Sequence, residues 1–420
     1  MKNNLYIMIT FNIYNMGGGQ TYTWGKCEYL DSHCWDTAVY CPGGVERVCR
    51  FPYLNKYSPG VLPFLSLDPV KLGQKCIDLA IKRMISAYRL NVNQYSQIIV
   101  ESSNNICSLW GELLAEKIGA KHVIFNCNEW FSPPRTYSQY LDFYDFKFRR
   151  KELYGINNNS VLDLFQGEKT IENADEFVFT AYNPLNVVQD VCDPRLNKIK
   201  KFDWSIGYFG RSNKGYFDFV MQDIALFAQK YRDKSIQLVI IGDVSGKERF
   251  IGNTFENVLN VSIVKMGDMV PVPKAIFNKV DVMIAGAGCA IWSYLQNVFT
   301  LIPDSKNYMA NGLLGYDTLS TLRAETKEIQ SSFSRYLEKV LVDKIYNASV
   351  RKKIDFEMSD LKHDKRYEKH FEIIGNSTFK MEYYDFNLSQ KQCLLNKAKM
   401  LIIYNRKVYN SIRRLRNFLR

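Results

Sequence analysis

The feature that most constrains this chain is a recurring unit: a short apolar run, a glycine-containing loop, then helical periodicity. It occurs at 5–13, followed by Gly17-Gly18-Gly19 and a helical pattern over 20–30. It recurs at 205–209, followed by a loop over 210–215 and a helical pattern over 216–231. A third copy runs from 280–285 into Gly286-Ala287-Gly288-Cys289 and a further helix. Strands that are continuously apolar, not alternating, are buried on both faces. Strands interleaved with helices therefore predict parallel sheets covered on both sides, an α/β architecture. The intervening sequence fits the same scheme, with strands expected at 35–41, 97–100, 122–127, 237–241, 258–264 and 300–302. Helices are expected at 70–89 and 106–118.

Residues 185–203 interrupt the apolar pattern, with Pro184 just before them and Pro194, Lys198, Lys200 and Lys201 within. A chain of 420 residues is long enough for two cores. The pattern predicts two Rossmann-like domains, 1–190 and 200–375, and a C-terminal helix over 385–420. A ligand is expected at strand C-termini, in a cleft faced by both domains.

Charge is needed to read that last segment. The chain carries 55 Lys+Arg against 43 Asp+Glu, a formal +12. Nine of the basic residues lie from Lys391 onward with no acidic residue among them, which leaves the first 390 residues at +3. Leu394, Ala398, Leu401, Val408, Ile412, Leu415 and Leu419 recur at steps suited to one helix face, with the cations largely off it. Lys397, Arg406, Lys407, Arg413, Arg414 and Arg416 would then bind an anionic membrane surface, each contributing on the order of 1 kcal/mol. Packing of this helix on the body is the alternative; no nucleic-acid-reading module accompanies the charge, and no nucleic-acid partner is expected. No run of 18 apolar residues occurs, so no spanning helix is expected. The ten cysteines form no Cys-x-x-Cys pair, which suits reduced cytosolic thiols.

Glycines between a strand and a helix let a ligand approach the backbone, and the helix N-terminus favours an anion. Gly18 and Gly19 occupy such a position, although a plain tight turn fits them equally. In the second series Gly210-Arg211-Ser212-Asn213-Lys214-Gly215 adds two cations, Arg211 to fork onto phosphate oxygens and Lys214 as a point charge. Gly286, Gly288 and Cys289 form a third backbone-amide site, and five consecutive small residues, 285–289, favour close approach of a ligand or a backbone.

On these loops the chain resembles the GT-B glycosyltransferases, most of all the retaining nucleotide-sugar enzymes of family four used in bacterial capsule and exopolysaccharide synthesis. The likeness covers most of residues 1–330 and rests on the first-loop glycines, "IGYFGRSNKG", "LVIIGD" and "VDVMIAGAG". It implies a donor domain at 200–375 and an acceptor domain at 1–190. It also implies that Arg211 and Lys214 hold the donor diphosphate while the first glycine loop closes on it. The family's two glutamates around the last helix are absent here, and Ser293 or Asp304 stands as the substitute contact to the donor ribose. Asn128 and Glu129 stand where related enzymes place a His or His-Asp pair against the transferred sugar.

Glu101 and Glu129 are the acidic candidates, each expected at a strand C-terminus facing the cleft. Such a carboxylate can act as base on an acceptor hydroxyl or stabilise oxocarbenium charge, or it can simply cap the following helix. His122, just before a strand, reads as structural. Asp142–Gly155 is either an acceptor grip or a surface helix with Phe and Tyr in the core, and the second reading is favoured. No Asp-x-Asp occurs and the four histidines form no ligand cluster, so neither a metal nor a cofactor is expected.

The expected function is transfer of a sugar from a nucleoside-diphosphate sugar to a saccharide or lipid-linked acceptor. The protein is expected to be cytoplasmic, at the inner face of the membrane. A sugar-nucleotide 2-epimerase on the same fold, or an inactive scaffold for polysaccharide enzymes, are the rivals.

Overall fold

Each expected strand carries its apolar run into the interior of a parallel sheet. The computed structural model describes residues 4–10, 13, 18–42, 52–58, 62–87, 91–103, 106–126, 139–165, 168–179, 187–321, 329–354, 363–377, 382–388 and 411. The chain divides into two units, Met1–Ala181 with Asp360–Arg420, and Tyr182–Ser359.

The first unit contains β1 (Asn4–Ile9), α1 (Gly18–Ser32), β2 (Trp35–Tyr40), α2 (Gln74–Ala87), β3 (Gln97–Ser103), α3 (Ile106–Ile118), β4 (Lys121–Asn126), α4 (Leu141–Arg149), β5 (Leu153–Gly155) and α5 (Asn158–Leu162). Its sheet has the order β2-β1-β3-β4-β5, all parallel. β1 lies between β2 and β3, with Ile9 level with both Tyr40 and Ser102. Its residues Leu5–Ile9 are all buried, which is why LYIMI reads as unbroken apolar sequence. α2 buries Cys76, Ile77, Ala80, Ile81 and Met84, a stripe at helical spacing.

The second unit contains β6 (Val188–Gln189), β7 (Trp204–Phe209), α6 (Tyr216–Lys230), β8 (Ile236–Ile241), α7 (Glu248–Phe255), β9 (Val261–Gly267), β10 (Val272–Pro273), β11 (Val282–Ala285), α8 (Ala287–Leu295), β12 (Phe299–Pro303), β13 (Ala310–Leu313) and α9 (Phe333–Leu337). Its main sheet runs β13-β12-β11-β7-β8-β9, parallel except for β13. A last helix, α10 (His363–Asn376), belongs to the first unit and not to the second, where 200–375 had placed it. The reason is chemical: α10 brings buried Tyr367, His370, Ile373 and Ile374 into the first unit's interior. The expected C-terminal helix falls almost wholly on 389–410 and 412–420, outside the described residues.

Two buried polar networks hold the first unit. In one, His122 donates from Nδ1 to Glu112 (2.6 Å) and accepts from the Ser102 hydroxyl at Nε2 (2.7 Å). Lys147 of α4 reaches Glu112 at 2.5 Å and Glu152 at 3.1 Å, and Arg150 forks onto Glu152. Phe143 and Tyr144 are buried beside them, so the 142–155 stretch is a core-facing helix and strand. Its Lys147 and Arg150 are consumed by internal carboxylates. His122 is structural, as its position suggested.

In the other network Glu101 accepts from Tyr6, Tyr22 and Lys26 at 2.6–2.7 Å, and Lys26 also bonds His370 Nδ1 at 2.7 Å. Burial, with the Lys26 ammonium next to it, holds His370 well below the ordinary histidine value. Burial and the Lys147 charge likewise lower His122. Both imidazoles are therefore neutral when folded and bind protons readily when unfolded. Between their folded values and about pH 6.5 the unfolded chain binds more protons, so stability falls as pH drops through that window. The loss should approach ~1.4 kcal/mol per pH unit for each histidine. Urea midpoints measured at pH 7, 6 and 5 should fall progressively, and the slope should be smaller in His370→Gln. Glu112 adds nothing to this window. Burial opposes its charge, but Lys147 and His122 still bring it to about 2, so its contribution is lost only below its unfolded value near 4.5.

Candidate functional site

The second unit's sheet has a topological switch point. From β7 the chain moves outward through β8 to β9 on one side, and later through β11 to β12 on the other. Ligands in open α/β sheets bind outside the carboxyl ends of the strands at such a point. Here the last residues of the two strands, Phe209 and Ala285, are register partners. The loops that follow, 210–215 and Gly286–Cys289, therefore start side by side.

Each loop opens a helix whose N-terminus has no side-chain cap: Gly215 precedes α6 and Gly286 precedes α8. Uncapped first-turn amides and the helix dipole make both ends attractive to an anion. The first loop is fixed by its own bonds. Gly210 N–H donates to Ile241 O (3.0 Å), the Ser212 amide and hydroxyl donate to Asp243 O (3.3 and 2.7 Å), and Tyr208 OH donates to Arg211 O (3.1 Å). Gly242 has φ +131°, and a Cβ there would lie 2.1 Å from Gly210 O, so only glycine allows this approach. These bonds leave Arg211 and Lys214 exposed on the loop. In the second loop Ala287 sits at φ 52° with its amide bonded to Thr321 O (2.9 Å), so the amides of Gly288 and Cys289 follow at the helix start.

Cys289 ties the two loops electrostatically. Burial raises its thiol to about 12 against the opposing pull of Lys214 and Arg211. The cations thus act on the first turn of α8, and the sulfur stays protonated. Cys289 offers a backbone amide here.

The other expected site residues fall elsewhere. Ser293 is fully buried and its hydroxyl donates to Cys289 O one turn back (2.8 Å), so it faces its own helix and not a ribose. Asp304 is also buried: Oδ1 accepts from the amides of Lys306 and Asn307, and Oδ2 accepts from Asn311 and Gln330. It shapes the turn after β12. Glu101 is only 3 % exposed and closed in by two tyrosines and a lysine, so it is a core ion pair and not a base facing a cleft. Gly18 and Gly19 open α1, the helix that follows β1, and apart from its chain neighbours and its own helix backbone no atom lies within 4 Å of a Cβ added at Gly18. Asn128 and Glu129 lie outside the described residues, as do Lys397, Arg406, Lys407, Arg413, Arg414 and Arg416. Two features escaped the sequence reading: the Gly242-Asp243 brace under the cationic loop, and Tyr308, whose ring lies against Gly215. "LVIIGD" flagged the first without revealing its role.

Among the described residues no group of three or more His, Cys, Asp or Glu side chains could hold a metal ion. None of the described helices is long and apolar enough to cross a membrane.

No protein-family model and no curated protein matches this chain. Among solved structures it is similar to Anabaena HepE in complex with UDP and glucose. That likeness has 11% identity and a TM-score of 0.57, and covers 88% of this chain and 99% of that one. It is similar to a glycosyltransferase from Rickettsia africae at 14% identity and TM-score 0.50, covering 96% of this chain and 98% of that one. It is also similar to a UDP-N-acetylglucosamine 2-epimerase at 12% identity and TM-score 0.52, covering 92% and 100%. These likenesses show the fold, which is GT-B: two Rossmann-like domains.

Proposed function

We propose that this protein is a glycosyltransferase that moves a sugar from a nucleoside-diphosphate sugar to a saccharide acceptor, lipid-linked, in cell-surface polysaccharide synthesis. The observation that carries the reading is the paired ends of β7 and β11, with two uncapped helix N-termini and two exposed cations on one edge. As the glycosidic bond to the donor breaks, negative charge grows on the leaving diphosphate. Arg211, Lys214 and the amides of Gly288 and Cys289 stand at this edge as donors for that charge, and donors placed before the reaction are the arrangement that lowers such a barrier most. The diphosphate is neutralised by these groups without a metal cofactor. Glu129 remains the proposed acid-base or charge-stabilising carboxylate and Asn128 its neighbour; Glu101 is withdrawn from that role by its burial.

The HepE likeness supports a uridine nucleotide as first choice, since that protein was solved with UDP and glucose. The likeness to a 2-epimerase supports a second reading, epimerisation of the sugar nucleotide itself. Incubation with UDP-, GDP- and TDP-sugars, with and without a membrane extract, separates the two. Acceptor-dependent release of nucleoside diphosphate is expected. Epimerised sugar without acceptor would favour the second reading, and turnover of no donor would remove both.

The basic tail places the enzyme at the inner membrane surface in this proposal. Removing residues 391–420 should abolish sedimentation with anionic liposomes while leaving UDP binding unchanged. A truncated chain that fails to fold would instead mean that the tail packs on the body.

A further inference from the structure

Tyr308 stands in the loop between β12 and β13 with φ of 65°, a left-handed backbone that bulky aromatic residues seldom adopt. The loop leaves it little choice. Asp304 Oδ1 accepts from the amides of Lys306 and Asn307 at 2.7 and 3.0 Å, Asn307 Oδ1 accepts from the Met309 amide at 3.1 Å, and the Tyr308 amide donates to Asp304 O at 3.2 Å. Because β12 runs parallel to β11, this loop opens on the same edge as the cationic loop. The ring is directed at that loop. A Cβ built on Gly215 would lie 2.4 Å from both the Tyr308 ring carbon Cζ and its hydroxyl oxygen. The Phe219 ring, one turn into α6, lies 5.4 Å from the Tyr308 ring. Tyr308 thus fills the space that Gly215 leaves by having no side chain.

We propose that Tyr308 is a positioning residue for the donor site. Its ring props the end of the 210–215 loop against the first turn of α6 and so fixes where Arg211 and Lys214 present their charge. The inference rests on the donor-site reading above. It goes further by assigning a role to a residue in a separate loop, between β12 and β13. A ring held only for packing would cost stability when removed but would leave exchange across 212–217 and UDP binding unchanged. Removal of a ring that braces the loop changes both.

The experiment compares Tyr308→Ala, Tyr308→Gly and Tyr308→Phe in the full chain. Both Ala and Gly remove the ring, but only Gly relieves the left-handed backbone, so Tyr308→Gly should melt above Tyr308→Ala. Both should nevertheless weaken UDP binding by about tenfold. In the ligand-free protein both should speed amide hydrogen exchange across 212–217, whose bonds to Asp243, Arg211 and Lys214 define the loop. Tyr308→Phe keeps the ring and should match wild type in exchange and binding. Wild-type exchange in both truncations overturns the proposal, and so does a Phe variant as impaired as Ala. If the wild type itself binds no UDP while the exchange result holds, the donor reading falls and the brace stands.

Discussion

Glu101→Gln should destabilise the protein by ~3–5 kcal/mol, the cost of leaving a buried charge without its partner. Lys26 is fully buried, and its ammonium is held by Glu101 at 2.6 Å, with Tyr22 and His370 as its other contacts. Burial already lowers Lys26 to about 8 even with the carboxylate present. Without the carboxylate the ammonium has only neutral partners and must shed its proton or reach water. The expected outcome in urea denaturation is a large fall in midpoint, with near-ultraviolet circular dichroism reporting loosened packing of Tyr6, Tyr22 and Phe371 around Lys26. Lys26→Met combined with Glu101→Gln should cost less than Glu101→Gln alone, because the orphaned charge is gone; the non-additivity measures the pair. Were Glu101 an exposed catalytic base, the same change would leave stability within about 0.5 kcal/mol.

Arg211→Ala with Lys214→Ala should reduce UDP affinity by ~100-fold or more while leaving stability nearly unchanged. Charge-assisted hydrogen bonds to a phosphate are worth about 1.5–3 kcal/mol each, and the two cations sit on one loop next to an uncapped helix end. Both side chains are exposed, so their removal opens no cavity. Isothermal titration shows the loss directly. An affinity within threefold of wild type would place the diphosphate elsewhere. Arg211→Lys should recover only part of the loss, because a point charge cannot fork onto two oxygens.

Much of the architecture was legible because parallel strands buried on both faces leave unbroken apolar runs. IQLVII of β8 is buried at every position, and NLYIMI of β1 at five of six. The position of the cationic loop was legible too, because glycines and cations at 210–215 fall between a strand and a helix. Partners distant in sequence were not legible. Glu101 looked like a strand-end carboxylate facing a cleft, but it is the fifth of seven residues in β3, and its donors lie 75, 79 and 95 residues away. One clue was present: Lys26 falls on the buried face of α1, with Tyr22 one turn before it and Leu30 one turn after. A lysine on an apolar face requires a buried carboxylate, and Glu101 is that carboxylate.

Ser293 could also have been placed from sequence. A serine in the interior of a short apolar helix bonds back to the carbonyl four residues earlier, and Cys289 is that residue. Helix α10 falls inside the 200–375 bound yet belongs to the first unit, because a boundary drawn along the sequence cannot show a segment that returns to the earlier unit. The His370 bond to Lys26 spans 344 residues of sequence, and no local pattern announces it. β13, only four residues long and antiparallel, left no pattern distinct from a turn.

A crystal structure of the wild-type protein with UDP would show where the donor diphosphate sits. The diphosphate is expected at the switch point of the second unit, accepting hydrogen bonds from the amides of Gly288 and Cys289 and from the Arg211 guanidinium, at ~2.7–3.0 Å. UDP bound away from the ends of β7 and β11, or no UDP bound at millimolar concentration, would contradict it.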